Sequence, residues 1–573
     1  MLIVSGAILV LLTWALATAG LLSLGMLIAA LSSPGAARSE VLRGSLWWGL
    51  LVAAVLAYAV NLFLPLQSLG AGLALLVAVV ILGVPGWWLW SRRRSGLPAR
   101  GLWLAAAAGV VAVTLAFSAI GPVTNYDSGL YHLQAIRYTA DFATVPGLAS
   151  VYFPLGYSNA EFPLAALMGV GPWGLDGYRL INGLVIMLAL IDLVVRARSG
   201  RRGAGFFALL TGVGVVGVTM LPLAEYWVTS PTQDSTVFVV TMVATAYVAD
   251  TVTRRRWTSS AGVLVALALL LVLLRPTMVA FAGGIAAVLV IVAWRRRRDT
   301  TRLELGRLLA VGVVSAVVAG LVSTARDYVL SGWLLYPLSV YSFDVPWLAP
   351  DPTSARIATL GAARNPEDLW AAAQGWDWIP SWFARLPSQW ETYAIGLLAI
   401  TAILTTLTAA RATSLRGRGL LLVLAPSLLA TAFWWAMTPP SFRFAWGVVF
   451  SLATIPIGWS LWRLDRAQQS VLPKFAITGG AVVLVAVGFF TLGVRVDYAS
   501  MTDERDWRVG LSVPLVVSPP DPGDTAIVTT ESGLEALVPR TGDQCWLAFP
   551  TCSPQLRDTL RLRGEDIRLG YLP

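Results

Sequence analysis

The feature of this sequence that most constrains its fold is a series of fourteen apolar runs. A helix needs about 20 mostly apolar residues to cross the hydrocarbon core of a bilayer. Only 13% of the 573 residues are charged and 57% are hydrophobic, which excludes a large soluble protein. We therefore predict an all-α polytopic membrane protein with about 14 transmembrane helices. The predicted helices are 2–31, 46–66, 69–91, 102–121, 175–195, 204–222, 235–252, 258–274, 277–294, 307–325, 393–410, 420–437, 444–462 and 475–494.

Basic residues gather in alternate loops between these runs, for example in Arg92-Arg93-Arg94 and Arg254-Arg255-Arg256. The positive-inside rule places such loops in the cytoplasm. This orientation accounts for the formal net charge of +10, so nucleic acid is not an expected partner. Both termini and three longer segments then lie on the extracytoplasmic side. These segments are 122–174, 326–392 and the tail 495–573.

The inventory of metal-binding side chains is small. The chain has one histidine, His132, and two cysteines, Cys545 and Cys552, so a metal centre rich in histidine or cysteine is excluded. The sequence also lacks the glycine patterns of nucleotide-binding loops, and we predict no cofactor. The cysteines lie seven residues apart on the predicted oxidising side, which favours a disulfide over a reactive thiol pair.

Polar side chains follow the fourth apolar run, in the segment from Gly121 to Tyr138. A helix from Asp127 would place Tyr131, Gln134 and Tyr138 within about 40° of Asp127. The pattern predicts a short amphipathic helix on the outer membrane surface, with tyrosines that can stack on sugar rings. On the same helix His132 would lie roughly 140° from the carboxylate, which favours a packing role over substrate binding.

Three interpretations of Asp127 remain open from spacing alone. Its carboxylate would cap the helix that follows, because aspartate often accepts a bond from the first free N–H groups. It would alternatively form a surface ion pair with Arg137, which the helical angles do not favour. The third interpretation is a general base, since a partly desolvated carboxylate beside the membrane can take a proton from a hydroxyl.

This loop resembles the first extracytoplasmic loop of the type-C glycosyltransferases (GT-C), membrane enzymes that use polyprenyl-phosphate-linked sugars. The chain is also similar to an uncharacterised family of bacterial integral-membrane proteins grouped with these transferases. The stretches that carry the similarity are Tyr126-Asp-Ser-Gly-Leu-Tyr-His-Leu-Gln134, Val145-Pro-Gly-Leu148, Gly156-Tyr-Ser-Asn159, Gly542-Asp-Gln-Cys-Trp546, Cys552 and Leu560-Arg-Leu-Arg-Gly564. The resemblance runs from about residue 102 to the C-terminus. It therefore divides the chain into accessory helices, 1–101, a GT-C-like core, 102–494, and the extracytoplasmic tail, 495–573.

The resemblance implies an inverting membrane glycosyltransferase of the bacterial plasma membrane. Asp127 is the residue onto which the catalytic aspartate of the GT-C family maps. Many members carry a paired acidic motif at this point, but here Ser128 follows Asp127, so no metal is expected. The expected partners are a polyprenyl-phosphate sugar donor, a glycan or lipid acceptor of the cell envelope, and membrane lipids. A transporter or flippase of a lipid-linked glycan is the alternative, and a structural role in an envelope assembly is a third.

A lipid-phosphate donor needs cations at the outer membrane edge. Arg275, at the tip of a tight outer hairpin, and Arg443, just before a predicted helix, have suitable positions. The alternative for both is that the side chain extends to lipid phosphate or water. We further predict that Tyr131, His132, Gln134, Asn159 and Glu161 contribute to substrate binding. The tryptophans of 326–392 indicate an interfacial belt or a lid over a carbohydrate or lipid groove.

Overall fold

The apolar runs form helices in the structure, a computed structural model. It describes residues 2–33, 35–93, 102–121, 123, 125–169, 171–198, 225–254, 257–412, 419–466, 507–508, 516–517 and 525–573. Over these residues nine helices are long and apolar enough to cross a membrane, and three shorter apolar helices accompany them. Two of the predicted helices, 204–222 and 475–494, lie outside the described residues. The protein is thus a mostly helical, multi-pass membrane protein.

Most bounds agree with the predicted runs to within a few residues. The second predicted helix begins and ends earlier, the fifth begins at Ile181 and not at 175, and the tenth is longer at both ends. In chain order the helices are α1 (Leu2–Ser32), α2 (Arg38–Asn61), α3 (Leu69–Ser91), α4 (Leu102–Ala119), α5 (Leu133–Asp141), α6 (Glu161–Met168), α7 (Ile181–Arg198), α8 (Gln233–Thr253), α9 (Thr258–Leu274), α10 (Val279–Arg295), α11 (Arg302–Ser331), α12 (Thr353–Arg364), α13 (Leu369–Gln374), α14 (Ile379–Arg385), α15 (Trp390–Ala412), α16 (Leu420–Met437) and α17 (Trp446–Arg466). The strands are β1 (Trp333–Leu335), β2 (Leu338–Ser342), β3 (Trp507–Arg508), β4 (Val516–Val517), β5 (Thr525–Thr529), β6 (Glu535–Pro539), β7 (Arg561–Leu562) and β8 (Tyr571–Leu572).

The helices divide into buried and peripheral ones. Most side chains of α2, α7 and α8 are buried, whereas α3 and α11 keep most of theirs exposed and suited to lipid. Helices α1 and α2 approach closely through glycines: a Cβ on Gly25 would lie 2.0 Å from Ser45 O, and one on Gly49 would lie 1.9 Å from Leu21 O. Such small residues let backbones approach where lipid supplies no hydrophobic drive for association.

Charged side chains of α2, α7 and α8 form a buried network at one end of the bundle, which we call the basic end. Asp192 lies 3.4 Å from Arg43, while Asp250 lies 2.7 Å from Arg196 and 3.1 Å from Arg254. Each of these five side chains is about a tenth exposed or less. The three arginines belong to loops that the sequence assigns to the cytoplasm, so those helix ends meet in space.

The other end of the bundle carries the first outer loop, and we call it the loop end. Asp234, at the start of α8, is sixteen residues from Asp250, at its end, so the two ends are roughly 24 Å apart along this helix. Arg275, between α9 and α10, contacts Asp234 at the loop end. The groups predicted on the outer side thus meet at the end opposite to the arginine loops.

The helix expected from Asp127 onward is not a regular α-helix. Residues Ser128–His132 form a π-helical turn in which Leu133 N–H donates to Ser128 O, and α5 follows. The carbonyl of Gly129 instead accepts the N–H of Trp546, at 2.8 Å. Because the Trp546 N–H takes a carbonyl that would otherwise accept a hydrogen bond within the helix, the turn widens at this point. The predicted alignment of Asp127 with Tyr131, Gln134 and Tyr138 on one helix face is therefore wrong over this turn. The segment is covered by the tail and is not open on the membrane surface.

Segment 326–392 consists mostly of regular secondary structure. Helix α11 continues to Ser331, so Arg326 belongs to the helix, where its guanidinium donates to Asn61 Oδ1 at 2.6 Å and to Thr144 Oγ1 at 3.0 Å. The antiparallel hairpin β1–β2 and the short helices α12 to α14 follow.

The tryptophans of this segment differ in burial. Trp378 and Trp382 are buried and pack with Trp435 of α16. Trp370 and Trp376 are more than half exposed, although the Trp376 ring also packs with Trp378 and Trp435. The indole N–H of Trp382 donates to Pro440 O at 2.9 Å. The buried group therefore supports the turn that leads into α17.

Residues 525–573 of the tail rest on the first outer loop. Strands β5 and β6 pair in antiparallel register, and β7 pairs with β8 in the same way. Cys545 and Cys552 form a disulfide. Tyr571 N–H donates to Pro146 O at 2.8 Å, so the chain terminus is tied to the loop that contains Asp127.

Candidate functional site

Asp127 and Arg443 form an ion pair at the loop end. Asp127 precedes the π turn, and Arg443 lies in the single helical turn Phe442–Phe444 before α17. Asp127 Oδ2 is 3.1 Å from Arg443 Nη1, and the two side chains are 18% and 36% exposed. Two residues chosen separately from the sequence are thus adjacent in space and reachable from solvent.

The structure decides between the structural interpretations of Asp127. Its side chain makes no capping hydrogen bond, so the predicted helix cap is wrong. Arg137 pairs instead with Asp141, at 3.4 Å, as expected for positions i and i+4 of a helix. The carboxylate is therefore directed toward Arg443, while its own backbone N–H donates to Asn125 Oδ1 at 2.9 Å.

Arg275 lies beside this pair but has a carboxylate of its own. It forms a buried ion pair with Asp234 and donates to Phe444 O at 3.1 Å. The guanidinium carbons of Arg275 and Arg443 lie 5.2 Å and 4.7 Å from the centre of the Phe444 ring. One aromatic ring thus holds the two cations together, which is a favourable arrangement for guanidinium groups.

Arg275, Arg443 and Asp234 line one narrow cleft at the loop end. The cleft has no room for a water molecule in this conformation. A ligand that approached Arg443 would therefore have to displace a side chain, and the carboxylate of Asp127 is one that pairs with it. The site as described is closed around its own ion pairs.

Tyr131 and His132 belong to a buried cluster of aromatic rings next to Asp127. The Tyr131 ring packs edge to face with Tyr157 and Phe162, and His132 lies between Tyr131 and Phe162 at centroid distances of 4.5 Å and 5.3 Å. Burial lowers the pKa of His132 to about 4, against an opposing effect of Asp127, so the imidazole is neutral at physiological pH. His132 is placed as a packing residue.

Gln134 and Asn159 have structural partners instead of facing Asp127. Gln134 Nε2 donates to Ala548 O at 3.2 Å and to Cys552 O at 3.3 Å, so this side chain binds the tail. Asn159 Oδ1 accepts the backbone N–H of Glu161 at 2.9 Å and starts α6. The structure therefore does not bring these two predicted binding residues to the ion pairs.

Glu161 is fully buried at the start of α6. Its Oε1 accepts a hydrogen bond from Thr236 at 3.0 Å, and its Oε2 has no hydrogen-bond partner among the residues that the structure describes. Burial raises the pKa of Glu161 from 4.5 to about 8, although the hydrogen bond from Thr236 opposes the shift. The side chain is thus neutral at pH 7.

Replacing this carboxyl by an amide should remove a pH dependence of stability. The pKa of Glu161 is raised on folding, so its contribution is fully present below pH 4.5 and is lost as the pH rises through about 8. The loss is about 1.4 kcal/mol for each pH unit inside that window. We expect the thermal midpoint in detergent to fall between pH 5 and 9 in the wild type and to fall less in Glu161→Gln.

The exposed tail glutamate offers a matched control for this pH measurement. Glu531→Gln removes a carboxylate from an exposed turn and should leave the wild-type pH profile unchanged. Parallel profiles for the wild type and Glu161→Gln would contradict the assignment of a buried, neutral carboxyl.

Two features of the site were not predicted from the sequence. Asp234 lies on the predicted outer side, but nothing in its spacing connects it with Arg275, which is 41 residues away. Residues 543–546 of the tail contact both sides of Asp127 through Tyr126 and Gly129. The sequence signal for these tail contacts is the Gly542-to-Trp546 motif, which is one of the stretches that carry the family resemblance.

Comparison with known families adds one match. A family model described as a domain of unknown function (DUF8201) matches residues 8–450. The matched range includes most of α1 and all of α2 and α3, and it includes Asp127, Asp234, Arg275 and Arg443, but it ends before the tail. No curated protein and no solved structure matches the chain.

Proposed function

The chain belongs to the family of the domain of unknown function DUF8201, and from the site in this domain we propose that it is a membrane glycosyltransferase. It would transfer a sugar from a polyprenyl-phosphate donor to a glycan or lipid acceptor of the cell envelope. The proposal includes the orientation predicted by the positive-inside rule, with the loop end and both termini on the extracytoplasmic side of a bacterial plasma membrane. The GT-C fold is part of this proposal.

One observation carries the proposal: a partly exposed carboxylate lies 3.1 Å from a partly exposed guanidinium beside the ends of membrane helices. A general base and an anion-binding group are the two functions that sugar transfer from a lipid phosphate requires. The loop end is also where a lipid-anchored phosphate would be presented, because lipid head groups lie at the ends of spanning helices.

The reaction follows from these two groups. The donor phosphate binds Arg443 and replaces Asp127 as its ionic partner. The carboxylate is then available to accept the proton of the acceptor hydroxyl, whose oxygen bonds to the anomeric carbon. The bond from that carbon to the phosphate oxygen breaks, and polyprenyl phosphate leaves with the electron pair. This single displacement inverts the anomeric carbon.

The buried pair of Arg275 and Asp234 supports the proposal as a fixed element beside the reacting groups. Asp234 neutralises Arg275, and both are less than a tenth exposed. A neutral, immobile pair leaves the more exposed Arg443 as the group that meets the phosphate. Arg275 then orients Phe444, whose ring contacts both guanidinium groups.

The proposal can be tested with purified wild-type protein in lipid vesicles. A polyprenyl-phosphate sugar labelled in the sugar is supplied with a bacterial membrane extract, and label is followed in the lipid donor and in new products. Transfer of label from the donor to an acceptor supports the proposal. Movement of intact donor across the vesicle membrane without cleavage would identify a transporter, and the absence of both would contradict a glycosyltransferase.

Arg443→Gln should weaken donor binding more than turnover. A hydrogen-bonded charge contributes about 1.5–3 kcal/mol, so we expect the donor KM to rise by roughly 10- to 100-fold. Arg443→Lys should lie between the wild type and Arg443→Gln, because lysine keeps the charge but not the paired donors. Arg356→Gln, at an exposed arginine of α12, is the matched control and should keep the wild-type KM. An unchanged KM in Arg443→Gln would remove this residue from donor binding.

A further inference from the structure

The loop closed by the disulfide, residues 545–552, lies against the π turn and α5. We call it the disulfide loop. Trp546 N–H donates to Gly129 O at 2.8 Å, and the Trp546 ring covers the same glycine so closely that a Cβ there would lie 2.5 Å from the ring. Trp546 itself has φ +47°, in the left-handed region that side chains rarely adopt. Two contacts with Gly129 hold Trp546 in this conformation: the hydrogen bond from its N–H and the packing of its ring.

The tail also holds the residue on the other side of Asp127. The hydroxyl of Tyr126 donates to the Asp543 carboxylate, and Gln544 Nε2 donates to Tyr126 O at 2.9 Å. Residues one position before and two positions after Asp127 are therefore bound to a four-residue stretch of the tail. This arrangement restricts the backbone that carries the carboxylate.

Side chains of α5 bind the rest of the disulfide loop through its backbone carbonyls. Gln134 donates to Ala548 O and Cys552 O, and Arg137 Nη1 donates to Leu547 O at 3.1 Å. The hydroxyl of Tyr138 donates to Pro550 O. The disulfide is buried and closes this loop, so it keeps four carbonyls directed at one helix.

We propose that Trp546 is a positioning residue for Asp127, and that the Cys545–Cys552 disulfide maintains the loop that presents it. The tail lies outside the range matched by the family model, so this role belongs to the chain beyond its common domain. Its activity readout rests on the proposed function, whereas its effect on the backbone around Asp127 does not. A defect in positioning lowers turnover without weakening donor binding, because Trp546 is not among the residues that meet the phosphate.

Amide hydrogen exchange measures the backbone effect directly. In full-length protein in detergent we expect Trp546→Ala to raise exchange over residues 126–133 at least tenfold, and Trp546→Phe to raise it less than threefold. Exchange over the β5–β6 hairpin, 525–539, should stay unchanged and shows that the tail remains folded. Ile527→Ala, at an exposed apolar residue of β5, is the control and should leave residues 126–133 protected. Unchanged exchange over 126–133 in Trp546→Ala would overturn the proposal.

A double-mutant cycle tests the contact between the ring and the glycine. Gly129→Ala places a Cβ against the Trp546 ring, so it should lower kcat for sugar transfer at least tenfold with the donor KM within twofold. Adding Gly129→Ala to Trp546→Ala should have little further effect, because the ring that it would meet is gone. If the losses of kcat in the two single variants add up in the double variant, the contact between the Trp546 ring and Gly129 does not position Asp127.

The double variant Cys545→Ser/Cys552→Ser tests the disulfide. We expect increased exchange over residues 126–133 and a lower kcat at unchanged donor KM, and unaltered exchange would contradict its part in the proposal. If the wild type transfers no sugar, the proposed function fails, but the exchange measurements still decide whether the disulfide loop holds the segment around Asp127.

Discussion

Asp127→Asn is expected to reduce sugar transfer by about 10²- to 10⁴-fold, the range associated with loss of a general base. Asparagine has nearly the same shape, but its amide does not accept the proton that the acceptor hydroxyl must lose. The reduction should appear in kcat, with donor binding retained or strengthened, because the substitution frees Arg443 from its carboxylate partner. Initial rates with a labelled polyprenyl-phosphate sugar measure both quantities.

Asp141→Asn provides the matched control for this prediction. Asp141 ends α5 in the same outer loop, and its carboxylate forms only a partly exposed pair with Arg137 in the residues that the structure describes. Such pairs contribute about 0–1 kcal/mol, so transfer should remain close to that of the wild type. Transfer at wild-type rate in Asp127→Asn would remove the carboxylate from the reaction and with it the proposed mechanism.

Asp250→Asn at the basic end is expected to destabilise the protein by about 3–5 kcal/mol. The carboxylate of Asp250 pairs with Arg196 at 2.7 Å and with Arg254 at 3.1 Å, and all three side chains are a tenth exposed or less. Removing this charge leaves three buried arginines with two carboxylates, because Asp192 still lies 3.9 Å from Arg196 and Glu40 lies 3.2 Å from Arg254. The excess buried positive charge is costlier than the loss of a surface pair. Thermal and denaturant unfolding in detergent should show the loss, while the per-molecule transfer rate of folded protein should change little.

A charge-balanced variant separates the loss of a partner from the loss of the pair itself. Arg196→Leu/Asp250→Leu removes both ions, so it should be closer to the wild type in stability than Asp250→Asn. Asp566→Asn, at an exposed ion pair of the tail, should leave the unfolding midpoint unchanged. A stability for Asp250→Asn equal to that of the wild type would show that this network does not hold α7 to α8.

The candidate site was predictable only as separate residues. Asp127 and Arg443 were each identified from a local feature: one follows a spanning helix in a recognisable loop, and the other begins a spanning helix. Their pairing at 3.1 Å was not predictable, because it depends on how two segments far apart in the chain come together in the tertiary structure. Gln134 shows the opposite case, since the helical angle placed it with Asp127, but an irregular turn and the tail gave it other partners.

The sequence by itself determined that the chain is a multi-pass helical membrane protein, where its spanning helices lie, and which arginine-rich loops share one end. These properties depend on the local match between apolar length and bilayer thickness, and on the charge beside each helix. Only the tertiary structure decided which polar groups meet. Asp234 joins Arg275, and Trp546 covers Gly129, because helix packing and a distant tail bring them together, and no spacing along the chain encodes such contacts.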